Sequence, residues 1–333
     1  MIKIDLKINN DEWKRFLSEH KNANPFQSPE MLKVLKECKL YDFILVGARN
    51  ENNDLVGVLL SQVQKDYKSV LGNFTARSII WGGPVVKDNR SEIVFEILKE
   101  YDKIASKKAI YTQFRNLWDI HYGDGFEKSG FYFDDHLNIL IDLSVGEEEL
   151  WKNIKKSRKE GIRKAKRNDL VFEVNNCSGR IGTFYKLLKN TFDNVKKPFP
   201  KIDFFEAIAK NFDESEVKLF ELKKDNEVIV SLLAFTCNKC IYAYYIGTNR
   251  EHKYFLMRPI DLLYWETIRW GALNGMELFD WMGAGKPDIE YGVRKFKLQY
   301  GGEMSNLGRF EKTHKPNLMK LGKLGLKLYQ KIK

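Results

Sequence analysis

The sequence is poor in the residues that build disulfide frameworks and metal centres. Its 333 residues include only four cysteines, which are scattered, and five histidines. So few thiols cannot staple a chain of this length, and we expect them to be reduced. No apolar run approaches the ~18 residues that a membrane-spanning helix needs. The opening residues also lack the apolar core of a signal peptide, so a cytoplasmic location is expected.

Several catalytic motifs are absent as well. The histidines lie far apart and form no HExxH sequence, and the one CxxC, Cys237 to Cys240, falls where a hairpin turn is expected. A zinc site would need a second such pair. The stretch Gly283 to Lys286 lacks the spacing of a Walker phosphate loop, and no Gly-x-Ser-x-Gly elbow occurs. The sequence therefore predicts no metal site and disfavours hydrolases and NTPases.

What the chain does contain is apolar and positively charged residues. Apolar residues make up 43% of the sequence and aromatic residues 13%, enough for a folded core. Lysine and arginine outnumber aspartate and glutamate by 56 to 45, which gives a formal net charge of +11. This excess indicates a partner with phosphates or an anionic surface, but it does not choose between RNA, a nucleotide-linked substrate and a lipid headgroup.

Two stretches of the sequence carry the same order of predicted elements. In the first, strands over Tyr41–Arg49 and Leu55–Gln64 flank a polar turn, and a helix over Ser91–Lys107 leads to a further strand. In the second, a hairpin over Val217–Thr236 precedes a Tyr-rich strand and a helix over Pro259–Gly271. The copies lie about 170 residues apart, far beyond the ~20 to 50 residues of a solenoid repeat. We therefore predict an α/β (α+β) chain built from two copies of one module.

The predicted domain boundaries follow from this repeat. Residues 1–145 form the first module and residues 171–311 the second. Residues 146–170 form a basic linker helix between them, and residues 312–333 form a basic amphipathic C-terminal tail. Lysines with leucines between them suit peripheral contact with an anionic membrane surface, or contact with tRNA. A frayed, solubilising tail is the alternative, because two glycines weaken a helix there.

The linker has the strongest pattern in the sequence. Ser144 and Glu147 have the spacing of a capping box, and one helix is expected from Val145 to Asn168, with nine lysines and arginines. A solvated helix is the ordinary interpretation of such a run of charges, and a surface that faces phosphates is the alternative. In the second case the donor or RNA contacts are Lys155, Arg158, Arg163 and Lys166.

A segment near the C-terminal end combines a strand with aromatic residues, cations and glycines. Asp280 lies in the predicted strand, where a buried carboxylate needs a partner. Arg294 and Lys297 flank Phe296, ahead of Gly301-Gly302, and glycines let a backbone approach a ligand. A helix end followed by a β-bulge explains the same pattern equally well.

The order of these motifs resembles the FemABX family of peptidoglycan-bridge aminoacyltransferases and its GNAT-like acyltransferase relatives. The motifs are Gly82-Gly83-Pro84, the linker from Trp151 to Ala165, Phe279-Asp280 with Gly283, and Phe296-Lys297 with Tyr300-Gly301-Gly302. The resemblance covers essentially the whole chain. It implies two tandem GNAT-like modules, each a mixed, mainly antiparallel sheet flanked by helices. Since the long helical arm of FemA and FemB proteins is missing, the compact FemX type is the nearest match.

The resemblance also implies an activity. FemX-type enzymes transfer an amino acid from aminoacyl-tRNA to an amine of a nucleotide- or lipid-linked cell-wall precursor, with no bound cofactor or metal. By the same resemblance, Phe296 and Lys297 line the transfer site. Apart from that resemblance, a monomer is expected. A lysine on the helix after Gln27-Ser28-Pro29 binds the precursor diphosphate; Lys33 or Lys36 fits that role, and Lys33 is favoured.

Further substrate contacts fall in the second module. The family has an arginine and a tyrosine that contact the nucleotide precursor, but the corresponding stretch, Thr191 to Phe205, has neither. Lys197 or Lys201 can replace the charge, although a lysine lacks the bidentate geometry of arginine. Tyr242 and Tyr244 alternate on the strand that would face an acceptor, and ordinary sheet packing explains them as well.

Two other functions stay open. An acyl-CoA-dependent N-acyltransferase acting on an amino sugar or a surface-polysaccharide precursor would keep the same fold. GNAT enzymes hold the CoA pyrophosphate on backbone amides of a glycine-rich turn, and Asn249–Met257 lacks that glycine pattern. A non-catalytic RNA-binding protein would use the linker helix and the tail, and its binding would depend steeply on salt.

Overall fold

The computed structural model describes residues 2–66, 74–120, 122, 124–195 and 199–321. The chain divides into two compact units. The first is built from the residues before His136 together with those after Asn306, and the second is His136–Asn306. None of the helices in the described ranges combines the length and hydropathy that a bilayer span requires.

The elements of the first unit come from both ends of the chain. Its strands are β1 (Lys3–Asp5), β2 (Tyr41–Arg49), β3 (Leu55–Gln64), β4 (Arg77–Trp81), β5 (Val85–Val86), β6 (Tyr111–Arg115), β7 (Tyr132–Asp134) and β15 (Arg309–Thr313). Its helices are α1 (Asn10–Ser18), α2 (Pro29–Glu37), α3 (Ser91–Lys108) and α4 (Gly125–Lys128). The hairpin β2–β3 has the bounds that the sequence predicts.

The second unit is continuous in sequence. Its strands are β8 (Leu137–Asp142), β9 (Val171–Asn175), β10 (Val217–Lys224), β11 (Glu227–Cys237), β12 (Cys240–Thr248), β13 (Leu278–Asp280) and β14 (Glu303–Asn306). Its helices are α5 (Gly146–Asn153), α6 (Lys156–Lys166), α7 (Ile181–Val195), α8 (Ile202–Asn211), α9 (His252–Phe255), α10 (Pro259–Leu273) and α11 (Gly292–Lys297). Cys237 and Cys240 lie opposite each other in the strand register across the turn between β11 and β12, as expected, and no disulfide joins them.

Apart from β5, the strands of the two described sheets follow one topology. The first has the order β1-β2-β3-β4-β6-β15-β7, with β5 beside β3. Read from the corresponding edge, the second has the order β9-β10-β11-β12-β13-β8-β14. In each sheet a single neighbouring pair is parallel: β4 with β6, and β12 with β13. The predicted duplication of one α/β module is confirmed.

Each copy contributes its last strand to the sheet of the other copy. In sequence, β7 is followed by β8, and β14 by β15. In space, however, β15 lies between β6 and β7, while β8 lies between β13 and β14. We call this arrangement the strand exchange. Because of it, the second unit is His136–Asn306, whereas the second module was predicted over residues 171–311.

Each unit buries its own core. In the first unit, α3 covers the sheet with Ile93, Val94, Ile97 and Leu98, all of which are fully buried. In the second unit, α10 covers the sheet with Leu262, Leu263, Trp265 and Ile268. Apolar residues of α5 and α6 extend this second core and thereby fix the position of the linker.

The linker is two helices rather than the single helix predicted over Val145–Asn168. Ile154 and Lys155, between α5 and α6, have extended backbone angles. Ile154 is only 3% exposed, so the chain bends where this side chain enters the core. The predicted capping box is also wrong: the N-cap of α5 is Val145, which makes no side-chain cap bond, and the Ser144 hydroxyl donates to Asp142 (2.6 Å).

Two further motifs have structural roles in the first unit. The Gln27 side chain bonds the Leu60 and Trp81 carbonyl oxygens and lies against Gly83, where a side chain would collide with it. Ser28 caps α2 as predicted. The predicted tail over 312–333 begins too early, since Lys312 belongs to β15; residues 316–321 are helical and 322–333 lie outside the described residues.

Candidate active site

Lys297, at the end of α11, places an ammonium group inside the second unit. Its Nζ donates hydrogen bonds to the backbone oxygens of Trp281 (2.7 Å) and Gly283 (2.6 Å). These carbonyls converge because Met282 and Gly283 have φ angles of 59° and 102°, which turn the chain sharply after β13. Lys297 as a whole is half-buried, and the loss of water around its ammonium lowers the pKa of Lys297 to about 8.

Asp280, the last residue of β13, is the charged neighbour of Lys297. Its carboxylate accepts hydrogen bonds from Asn138 Nδ2 (2.9 Å) and the Met282 N–H (2.7 Å). Only 1% of Asp280 is exposed. Burial raises the pKa of Asp280 to about 6, against the opposing effects of the two hydrogen bonds and of Lys297. Between about pH 6 and about pH 8 both side chains are therefore charged.

Aromatic side chains surround Lys297 and its charged neighbour Asp280. The ring centroids of Trp281 and Tyr264 are 4.5 Å apart, and those of Phe296 and Tyr300 are 5.4 Å apart. The Lys297 Nζ lies 5.7 Å from the centroid of Trp281. Because these rings displace water, the ammonium is poorly solvated and its electrostatic interactions are stronger than in bulk solvent.

The parallel strands β12 and β13 separate at Asp280. They pair only over Cys240–Tyr242 and Leu278–Asp280. Beyond that point β12 continues to Thr248, while the chain after β13 turns away and bonds to Leu137 through Ala284 and Gly285. Among the described strands, β12 has no partner on this side from Ala243 onward. An unpaired strand edge offers backbone donors and acceptors to an extended ligand.

A buried network of charges joins α6 to α10. Arg158 forms an ion pair with Asp261 and also donates to Gln299 Oε1 (3.1 Å). The other Asp261 oxygen accepts from Arg258 Nε (2.7 Å). Asp261 can approach α6 this closely only because residue 161 is glycine, since a Cβ there would overlap the carboxylate. The Arg158 guanidinium lies 4.5 Å from the centroid of Phe296, so the network also holds the residue next to Lys297.

A cavity of about 370 Å³ opens at the start of α10. Its wall includes Arg158, Arg250, Arg258, Asp261, Phe255 and Phe296. The three guanidiniums outweigh the single carboxylate, so the cavity favours an anionic ligand. Its volume lies in the usual range for small-ligand sites, ~300 to 1,000 Å³. Phe255 at the rim is 64% exposed and offers an aromatic face to solvent.

The structure brings several of the predicted site residues together. Lys297, Phe296 and Asp280 form one cluster. Tyr242 is buried and lies opposite Asp280 in the parallel pair. Tyr244 is half-buried and packs on Phe235, with ring centroids 5.4 Å apart.

Other predicted residues have different surroundings. Arg294 donates to the backbone oxygens of Lys286 (2.6 Å) and Ile289 (2.5 Å), so it braces the loop before α11. Lys201 is exposed at the start of α8, and Lys197 lies outside the described residues. Lys33 and Lys36 are exposed on α2 in the first unit.

The structure also changes the roles predicted for the two glycines and for the linker cations. Gly301 and Gly302 have φ angles of 85° and 92°, and a side chain at Gly302 would collide with Leu140, so these glycines serve the chain path rather than the approach of a ligand. Arg158 points into the cavity network. Lys155 and Arg163 are exposed, and Lys166 pairs with Glu266 at 2.9 Å.

Several residues of the site were not anticipated from the sequence. Asn138, which ties Asp280 to the Gly283 backbone, lies on β8, a strand predicted to belong to the other module. Asp261 and Arg258 sit in an apolar helical pattern and in an Arg-Pro junction, and neither shows a recognisable motif. The positive φ of Arg258, 62°, is visible only in the folded chain.

Comparisons with known proteins agree with this fold. Residues 152–297 match the family described as acetyltransferase (GNAT) domain. No curated protein matches the chain. Among solved structures, FemX is similar with a TM-score of 0.72 and 16% sequence identity, over 96% of this chain and 99% of that chain.

Two further structures show the same architecture. A domain assigned to a lysylphosphatidylglycerol synthetase of Agrobacterium fabrum has a TM-score of 0.58 at 12% identity, over 93% of each chain. A tandem GNAT protein from the clavulanic acid biosynthesis pathway has a TM-score of 0.55 at 8% identity, over 94% of this chain and 99% of that chain. The fold is thus that of tandem GNAT proteins, residues 152–297 match the GNAT domain family, and the predicted resemblance to the FemABX and GNAT-like acyltransferases is confirmed.

Proposed function

We propose that this protein transfers an aminoacyl group from aminoacyl-tRNA to an amine of a cell-wall precursor of the peptidoglycan type, forming an amide. The observation that carries the proposal is the Lys297 ammonium, held by two carbonyls beside Asp280 at the point where β12 and β13 separate. An ammonium in such a dry site can stabilise negative charge that develops on a reacting carbonyl oxygen.

The reaction needs no cofactor from the protein. The acceptor amine attacks the ester carbonyl carbon, the new C–N bond forms, and the C–O bond to the ribose breaks. The proton lost by the amine ends on the ribose oxygen that leaves. Two of the three Lys297 N–H groups bond to Trp281 and Gly283, and the third is available to the oxyanion.

The cavity at the start of α10 supports RNA rather than CoA as the donor. A CoA pyrophosphate is usually held by backbone N–H groups of a glycine-rich turn before a helix. Here the turn contains the short helix α9, and Pro259 at the first position of α10 has no N–H to offer. The cationic groups that line the cavity are instead the side chains of Arg158, Arg250 and Arg258.

The donor is tested by following radiolabel into a cell-envelope precursor pool from mixed aminoacyl-tRNA, with a parallel reaction from mixed acyl-CoA. We expect label from tRNA only. Replacing Lys297 by Ala should slow transfer about 100-fold or more, the usual effect of losing an oxyanion donor. The matched control is Lys295→Ala on the same helix, since Lys295 is exposed and paired with Glu290. Undiminished transfer by Lys297→Ala would overturn the catalytic assignment.

A second candidate is an acyl-CoA-dependent N-acyltransferase acting on an amino sugar or a surface-polysaccharide precursor. The match of residues 152–297 to the GNAT acetyltransferase domain favours it. Label that arrives only from acyl-CoA in the same experiment would replace the first proposal with this one.

A further inference from the structure

The outer face of α6 presents a row of cations. Lys156, Lys159, Arg163 and Arg167 follow one another at intervals of three or four residues, so they share one face of the helix. At ~1.5 Å per residue the row is about 16 Å long. We call these four residues the α6 stripe.

The α6 stripe forms no ion pair with the described carboxylates. Nearby cations of the second unit are paired: Lys152 with Glu149 (3.2 Å), Lys166 with Glu266 (2.9 Å), and Arg269 with Glu147 (2.6 Å). Within the described part of the chain, no carboxylate lies within ion-pair distance of the α6 stripe. An unpaired row of like charges is self-repelling, and a polyanion would relieve that repulsion.

The helix dipole does not account for this arrangement. Cations near the C-terminal end of a helix interact favourably with its dipole, which suits Arg163 and Arg167. Lys155 and Lys156, however, lie at the N-terminal end of α6, and its first turn contains no acidic residue. The charge there is unfavourable to the helix itself, so local helix stability does not explain these lysines.

Two stripe residues are held in place by one aromatic ring. The Trp151 centroid lies 5.7 Å from Lys159 Nζ and 5.9 Å from the Arg163 guanidinium. Trp151 in turn packs on Trp265 of α10, with centroids 4.8 Å apart. These cation–π contacts restrict both side chains, which lowers the entropy cost of binding a ligand.

We propose that the α6 stripe binds the phosphodiester backbone of an RNA, namely the donor RNA of the proposed function, on which this inference rests. RNA is favoured over a lipid surface because Ile162 and Ala165, the apolar residues of α6, are fully buried and cannot insert into a membrane. The inner face of the same helix supplies Arg158 to the cavity. An RNA whose 3′ end occupies the cavity would lie next to this helix, with its phosphates within reach of the stripe.

The test measures the binding of deacylated tRNA to the full chain by fluorescence anisotropy, over a series of salt concentrations. The variant is Lys159→Gln with Arg163→Gln and Arg167→Gln. The matched control is Lys99→Gln with Lys103→Gln and Lys107→Gln, three exposed cations at the same spacing on α3 of the first unit. Both triples remove the same charge from a helix surface.

We expect the stripe variant to bind tRNA at least 10-fold more weakly at low salt. The slope of log K against log salt should fall by about two to three, because each lost phosphate contact removes about 0.9. The control should match the wild type. Equal losses in the two variants, or no loss in the stripe variant, would overturn the inference. So would a stripe variant that loses binding to anionic phosphatidylglycerol vesicles but keeps its tRNA binding.

Binding and transfer separate this inference from the proposed function. If tRNA donates the group, the stripe variant should show a raised KM for aminoacyl-tRNA with an unchanged kcat, whereas Lys297→Ala should lower kcat. Stripe-dependent tRNA binding without transfer from any aminoacyl-tRNA would contradict the proposed function and keep the RNA site. Transfer from tRNA at wild-type KM in the stripe variant would contradict the RNA site alone.

Discussion

The two units share one strand order, but their parallel strand pairs end differently. In the first unit, β4 and β6 pair over their full lengths, and β4 stops at Trp81 before Gly82-Gly83-Pro84. In the second unit, β12 outruns β13, and α11 brings Lys297 to the gap. The helix that occupies the place of α11 in the first unit is α4, whose Lys128 is exposed and paired with Asp124 (2.8 Å).

The two units also differ in the charge of the polar groups that they bury. In the first unit, a chain of hydrogen bonds links Ser78 to Tyr101 (2.6 Å), Tyr101 to Thr112 (2.8 Å), and Thr112 to His314 (2.7 Å). Burial lowers the pKa of His314, which favours its neutral form. The second unit instead buries the charged pair of Asp280 and Lys297. The hydrogen-bonded chain of the first unit thus consists of uncharged side chains, while the second unit keeps two charges where its sheet opens.

The largest expected effect comes from removing the charge that distinguishes the second unit. Lys297→Met should slow transfer about 100- to 1,000-fold, because the oxyanion loses its donor. The fold should not be destabilised at pH 7, since burial already disfavours the ammonium, as its lowered pKa of about 8 shows. Steady-state transfer measures the expected loss of rate, and the midpoint of thermal unfolding measures the stability. Lys128→Met, at the corresponding place in the first unit, is the control and should transfer normally; a large fall in the Lys297→Met midpoint would contradict the stability part.

The pH dependence of transfer sharpens the same comparison. The rate should fall below about pH 6, where Asp280 gains a proton, and above about pH 8, where Lys297 loses one. In Asp280→Asn the acid limb should disappear. The alkaline limb should move to lower pH, because the Asp280 charge raises the Lys297 pKa. Initial rates over this pH range measure both limbs.

The acceptor amine titrates identically in every variant, so differences between profiles report on the protein. Asp102→Asn, which removes a carboxylate beside Lys312 in the first unit (2.8 Å), should leave the profile unchanged. An Asp280→Asn profile that coincides with the wild type would show that the pair does not control the rate.

Breaking the neutral chain of the first unit should affect stability rather than chemistry. Thr112→Val keeps the shape of the side chain but removes the hydrogen bonds that Tyr101 and His314 make to the Thr112 hydroxyl, at a cost of about 1–3 kcal/mol. Urea unfolding would measure the loss, and transfer by the folded variant should be normal. A fall in transfer without a fall in stability would assign catalytic importance to this chain.

The smallest effect is expected at Lys33. If this exposed residue binds the precursor diphosphate, Lys33→Ala should raise the KM for the precursor about 5-fold, equivalent to about 1 kcal/mol, with kcat unchanged. Lys36→Ala is the comparison, because Lys36 lies over the Phe43 ring (5.6 Å). No change of KM in either variant would remove both lysines from the site.

Local patterns predicted elements well and their partners poorly. The apolar runs Tyr41–Arg49 and Leu55–Gln64, on either side of a polar turn, gave strand bounds that match β2 and β3, because a hairpin is a local structure. Which sheet a strand joins is not a local property, so the exchange of β8 and β15 was not foreseen. The partner that Asp280 was expected to need is Asn138, which lies on the exchanged strand β8.

In the linker too, the sequence pattern predicted the composition but not which side chains point inward. Its composition was read correctly as cationic, but one bend at Ile154 changes which residues face inward. Arg158, expected among the RNA contacts, is therefore buried against Asp261 and Gln299, whereas Lys155 and Arg163 remain outside. Side-chain direction along a helix depends on where the helix begins, and a charge run alone does not specify that position.

The strand exchange also sets the order in which the chain can be completed during synthesis. The sheet of the second unit has all its strands once Asn306 has been made, whereas the first unit lacks the strand between β6 and β7 until Thr313 is added. Domains usually fold from the N-terminal end as they emerge. Here the unit that starts first finishes last, and until then the edges of β6 and β7 stay open to wrong partners.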